Sequence, residues 1–93
     1  MTIFKILAIN LKYYRKIYNM SQERFAEVLG TSLAYLNEIE NQKRNVSLKT
    51  IAKFTNRLNA YDKSLNLNFS TLLNYDESLE TNYKRIDEKK KPN

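Results

Sequence analysis

Apolar residues recur at three- and four-residue intervals along this chain as far as Leu58, the period of a helix that buries one face. Ile3, Leu7, Leu11, Tyr14 and Tyr18 share one face of a first helix, and Ile3, Leu7 and Leu11 are expected in the core. Asn19 follows, a residue type that tolerates the left-handed backbone with which helices often end. Ser21 is placed to cap a second helix that turns Phe25, Ala26 and Leu29 inward. Gly30, the sole glycine of the chain, then breaks the pattern between Leu29 and Thr31. Thr31 or Ser32 caps a third helix anchored by Leu36 and Ile39. Ser47 caps a fourth, with Ile51, Phe54, Thr55 and Leu58 as its buried stripe and Asn59 as its expected end. After an irregular stretch from Tyr61 to Ser64, a fifth, shorter helix is predicted from about Asn68 to Leu73.

This pattern predicts an all-α domain over residues 1–75, and beyond it the chain changes character. The only apolar aliphatics after Tyr75 are Leu79 and Ile86, too few for a second core. Residues 76–93 are expected to form a charged C-terminal tail, either a solvated end or a short helix from Glu77 to Lys90. Glu80 and Lys84 sit at the four-residue spacing that would support such a helix. Internal repeats are absent.

Composition narrows the chemistry. The 93 residues make one domain, and a single glycine and a single proline agree with helices on short connections. There is no cysteine and no histidine, which excludes disulfides, Cys/His zinc sites and catalysis by thiol or imidazole. Glu23, Glu27, Glu38 and Glu40 fall on short surface helices with no nucleophile or second cluster, so no enzymatic activity, cofactor or metal is expected. The apolar segment from Ile3 to Leu11 is broken by Lys5 and Asn10, is too short to span a bilayer, and is followed by no cleavage signal. A cytoplasmic protein is expected.

The net charge is +6. From Asp76 onward Asp76, Glu77, Glu80, Asp87 and Glu88 balance Lys84, Arg85, Lys89, Lys90 and Lys91, so the excess lies on residues 1–75. Basic charge concentrated on a helical domain is the footprint of a polyanion partner, although charge alone also serves solubility. Seven tyrosines and four phenylalanines raise the question of base stacking on single strands. Most of them fall at helical core spacing instead.

The segment from Ser21 to Asn41 decides among partners. Two short helices joined by a tight turn at Leu29-Gly30-Thr31 form the unit that places a second helix in the DNA major groove. Residues 5–60 resemble the XRE family, the lambda-repressor and Cro-like helix-turn-helix regulators. The resemblance rests on Leu11, Arg15, Ser21-Gln22-Glu23, Ala26, Leu29-Gly30 and Ser32. It continues through Tyr35-Leu36, Ile39-Glu40-Asn41, Lys43-Arg44-Asn45 and Ser47-Leu48. It implies a five-helix, lambda-repressor-like domain whose recognition helix runs from Ser32 to Glu40.

Further implications follow residue by residue. Gln22 would bind a DNA phosphate with the amides of the second helix's N-terminus. Ser32, Leu33 and Ala34 would face base edges, with Asn37 and Glu38 one turn on. Asn41, Lys43 and Arg44 would clamp the sugar-phosphate backbone, with a solvated loop as the competing reading for the last two. Tyr35 either joins this contact set or packs against the turn. Arg15 and Glu40 match a pair that forms a structural salt bridge in some relatives. Three positions depart from the family pattern: Arg24 replaces a capping-box glutamate, Gln42 a frequent glycine and Val46 a frequent proline.

The reading face has its own chemistry. Leu33 and Ala34 offer only apolar contact, which favours thymine methyl groups and A·T-rich sequence. Asn37 suits the two-bond contact to adenine, Glu38 can accept from cytosine N4, and DNA shape would supply the rest. One short recognition helix reads few base pairs, so a homodimer on an inverted-repeat operator is expected. Of the apolar run Leu65, Leu67, Phe69, Leu72, Leu73 and Tyr75, part is expected to pack on the first helix and the remainder to supply the dimer contact. The expected function is sequence-specific binding of double-stranded DNA by a small repressor or autoregulator. The alternative is the antitoxin of a toxin–antitoxin pair, with the tail holding the toxin.

Overall fold

Three serines start three of the helices. In the computed structural model, which describes residues 2–68 and 70–74, the hydroxyl oxygens of Ser21, Ser32 and Ser47 accept hydrogen bonds from the backbone N–H of Arg24, Tyr35 and Thr50 at 3.0, 3.1 and 3.2 Å. Each satisfies one donor that the first turn leaves unpaired. They open α2 (Gln22–Leu29), α3 (Leu33–Glu40) and α4 (Leu48–Tyr61), while Thr2 caps α1 (Ile3–Ile17). No strand occurs among the described residues, and the fold is all-α.

The ends of α1, α2 and α3 share one closure. A residue with positive φ follows each helix: Asn19 at 55°, Gly30 at 72° and Gln42 at 61°. Its own N–H bonds three residues back, and the next N–H reaches five back: Met20 to Arg15, Thr31 to Ala26 and Lys43 to Glu38. This paired closure satisfies carbonyls the last turn leaves open. At Gly30 two cations of α4 add to it. Lys53 Nζ donates to the Gly30 carbonyl at 2.6 Å, and the Arg57 guanidinium covers the space a side chain at Gly30 would fill.

Leu7, Leu11 and Tyr14 from α1 meet Phe25, Ala26 and Leu29 from α2, Leu36 and Ile39 from α3, and Ile51, Phe54 and Leu58 from α4 in one core. Complete burial of each large side chain contributes about 1.5–3 kcal/mol. Ile3, expected in the core, is 49% exposed because α1 begins there and no described element covers its side chain. Burial raises the pKa of the Tyr14 hydroxyl, with a smaller contribution from Tyr13. Tyr18 donates to Asp62 at 2.7 Å, tying the end of α1 to the end of α4. Hydrogen bonds from the Ser64 hydroxyl and then from Tyr18 hold the Asp62 carboxyl below its usual pKa.

Two expectations about the C-terminal half need correction. Asn59 does not end α4, which runs to Tyr61. Its side-chain amide bonds both the N–H and the carbonyl of Leu67, at 2.8 Å each, and folds the chain back. The fifth helix is a single 3₁₀ turn, Thr71–Leu73, too short to count as an α-helix. Leu72 is fully buried in the core, while Leu65, Leu67 and Leu73 are half-buried against it. Asn10, which interrupts the apolar stripe of α1, is also buried. Its amide nitrogen donates to the carbonyls of Leu72 at 2.7 Å and Asn74 at 3.0 Å. Phe69, Tyr75 and the tail at 76–93, with its expected helix, lie outside the described residues. No described helix is long and apolar enough to cross a membrane.

Candidate nucleic-acid interface

The turn at Gly30 sets α3 across α2 with one face on the core and the other outward. Leu36, Ile39 and Glu40 are buried, while Ser32, Leu33, Ala34 and Asn37 are exposed and Glu38 is half-exposed. Leu33 is 46% exposed, an apolar side chain that its own core does not claim. Gln22, Leu33, Ala34, Asn37 and Glu38 line one shallow, open groove. Ser32 spends an oxygen lone pair on its cap to Tyr35, leaving its O–H to donate elsewhere.

Beneath this face Arg15 and Glu40 form a two-bond ion pair. Nε and Nη2 of Arg15 donate to the two carboxylate oxygens, each at 2.9 Å, and Nη1 also reaches the Met20 carbonyl at 3.4 Å. The Glu40 side chain is 1% exposed and that of Arg15 12%. A charge buried to that extent needs such a partner. Gln22 Nε2 also donates to Glu40, at 3.1 Å, and Gln22 Oε1 accepts from Asn37 Nδ2 at 3.2 Å. Asn41 Nδ2 donates to the Asn37 carbonyl at 2.9 Å and to Asn37 Oδ1 at 3.2 Å. Gln22, Asn37 and Asn41, read in the sequence as separate contacts, form one chain of amides rooted in the ion pair.

At the C-terminal end of α3, Asn41, Gln42, Lys43 and Arg44 are all exposed. The Arg44 guanidinium lies 5.2 Å from the centre of the Tyr35 ring, and its Nε is 3.5 Å from a Glu38 oxygen. Tyr35 therefore packs on the core, as one of its two readings has it, and its ring also supports the Arg44 cation. Arg24, which replaces the capping glutamate, pairs with Glu27 at 3.1 Å on the exposed side of α2.

Sequence reasoning missed Lys53 and Arg57, whose four-residue spacing on α4 was the only signal that they share a face. It also missed the link between Gln22 and Asn37, which spans two helices. The spacing of Asn37 and Asn41 was visible and marks a helical pair.

A family model described as helix-turn-helix matches residues 11–64. The Control protein C.SmaI of Serratia marcescens is 42% identical over 59 residues, which cover 63% of this chain and 70% of that protein. No solved structure matches the chain significantly.

Proposed function

Because the chain belongs to the XRE-type helix-turn-helix family of small DNA-binding transcription regulators, we propose that it is a repressor or autoregulator that occupies an inverted-repeat operator as a homodimer. The observation that carries this reading is the outward face of α3. Ser32, Leu33, Ala34, Asn37 and Glu38 are accessible there, with Asn41, Lys43 and Arg44 at its end. The helix would enter the major groove by its first turns. Leu33 and Ala34 would meet thymine methyls, Asn37 an adenine and Glu38 a cytosine, with Tyr35 at the edge beside Arg44. Gln22 and the first amides of α2 would hold one phosphate, and Asn41, Lys43 and Arg44 the backbone beyond. The resemblance to a protein named a control protein supports a regulatory role. Leu65, Leu67 and Leu73 pack against the core of their own chain but keep part of their surface exposed, and that part would meet a second copy.

Occupancy supplies the mechanism. Lysines and arginines release counterions from phosphates, giving affinity for any duplex and a steep salt dependence. Base readout adds roughly 4–10 kcal/mol for the right site. Selection from randomised duplexes at near-physiological salt, followed by sequencing, tests this. An enriched site with two inverted halves and A·T pairs opposite Leu33 and Ala34 is expected. Salt-sensitive binding without any enriched site would sink the reading. Across selected and unrelated duplexes, Arg44→Ala should weaken binding about equally, whereas Asn37→Ala should chiefly blur discrimination.

A further inference from the structure

We infer that the buried carboxylate of Glu40 fixes, through Gln22, the orientation of the Asn37 side-chain amide and thereby selects the base that Asn37 reads. This rests on the proposed role of Asn37 at a base edge. A side-chain amide can sit either way round unless its neighbours decide. Here both ends of the chain decide, and they agree.

At one end Glu40 Oε1, an acceptor already held by Arg15, faces Gln22 at 3.1 Å. Only the nitrogen of Gln22 can donate to it, so Gln22 must turn its oxygen toward Asn37, 3.2 Å away. That oxygen requires the Asn37 nitrogen opposite it. At the other end, Asn41 lies 2.9 Å from the backbone carbonyl of Asn37, again an acceptor, so Asn41 presents its nitrogen. Its nitrogen also lies 3.2 Å from the Asn37 side chain, which must place its oxygen there. Two independent acceptors, a carboxylate and a peptide carbonyl, thus impose one orientation on Asn37.

What remains on Asn37 defines its ligand. An amide nitrogen has two hydrogens and an amide oxygen two lone pairs. Gln22 takes one hydrogen and Asn41 one lone pair, leaving one donor and one acceptor in fixed order. In the major groove the complement is an acceptor beside a donor, the N7 and N6 of adenine. Reversing the amide would require Glu40 to face an oxygen. Gln22 is therefore a positioning residue for readout as well as a phosphate contact, and Glu40 acts through it.

The test compares wild type, Gln22→Met, Asn41→Ala and Asn37→Ala on three duplexes. These are the selected site, the same site with the adenine opposite Asn37 replaced by guanine, and an unrelated sequence. Methionine keeps the length of glutamine while removing both hydrogen bonds. Gln22→Met and Asn41→Ala should each lower the adenine-to-guanine ratio roughly tenfold, the scale of one good base contact. Both lose the ratio even where affinity for unrelated DNA also falls. Side-chain amide resonances of the free protein give a readout independent of DNA. Those of Asn37 should shift toward solvent-exposed values in Gln22→Met while the backbone spectrum keeps its dispersion. A phosphate contact alone would lower binding to all three duplexes together and leave the ratio intact, which overturns the inference. If Asn37→Ala keeps the ratio, the base-reading role falls and the inference with it, whereas loss of the ratio only in Asn37→Ala overturns the positioning role alone.

Discussion

Three residues carry the same backbone duty at the ends of α1, α2 and α3, and their side chains suit it unequally. Gly30 adopts positive φ without steric cost, Asn19 tolerates it, and Gln42 at 61° bears the clash between Cβ and carbonyl in full. Gly30→Ala should therefore cost about 1 kcal/mol, with the exposed Arg57 side chain swinging aside. Gln42→Gly should stabilise by about 0.5–1 kcal/mol, the strain relieved less the added freedom of the unfolded chain. Urea denaturation of the two variants checks the opposite signs. The sequence shows Gly30 and Asn19 plainly, and likewise the capping serines, because their residue types are matched to local backbone geometry. Gln42 carries no such mark, since its conformation is imposed by Lys43 bonding back to Glu38. Asn10 reads as a flaw in an apolar stripe, because its partners Leu72 and Asn74 lie far along the chain.

Between elements, the Arg15–Glu40 pair ties α1 to the last turn of α3. Removing one partner strands a buried charge, so Glu40→Ala should destabilise the fold by roughly 3–5 kcal/mol. Arg15→Met/Glu40→Leu replaces the pair by apolar groups and should fall close to wild type in stability, since buried pairs often add little net energy. Thermal melts of the single and double variants separate the two effects. The four α-helices were legible from spacing and caps because each is an amphipathic segment with a local start signal. The end of α4 was not, because Asn59 turns its amide to Leu67, a contact outside any helical period. The expected fifth helix is one 3₁₀ turn whose Leu72 is fully buried, and spacing over so few residues cannot tell such a turn from an α-helix. The candidate site residues were proposed from the family resemblance, but the hydrogen bond that joins Gln22 to Asn37 depends on how α2 crosses α3.

At the scale of the molecule, one recognition helix spans few base pairs, and two copies on half-sites roughly 34 Å apart would multiply the free energy of readout. Leu73, half-buried at the end of the described chain, provides a handle on that assembly. Leu73→Glu should lower self-association in sedimentation equilibrium and reduce binding to the paired site by about tenfold or more, with single half-site binding retained. Unchanged association would place the contact elsewhere. The bond from Asn10 to the carbonyls of Leu72 and Asn74 bears on how the protein is made. On the ribosome α1 is synthesised first, but its groove has neither Leu72 to fill it nor carbonyls to meet the Asn10 amide until residues 72–74 emerge. A polar group stranded in an apolar groove opposes closure of the core. A chain that stops before residue 72 should therefore be cleaved faster than the full chain in limited proteolysis, because its core is left open beside Asn10.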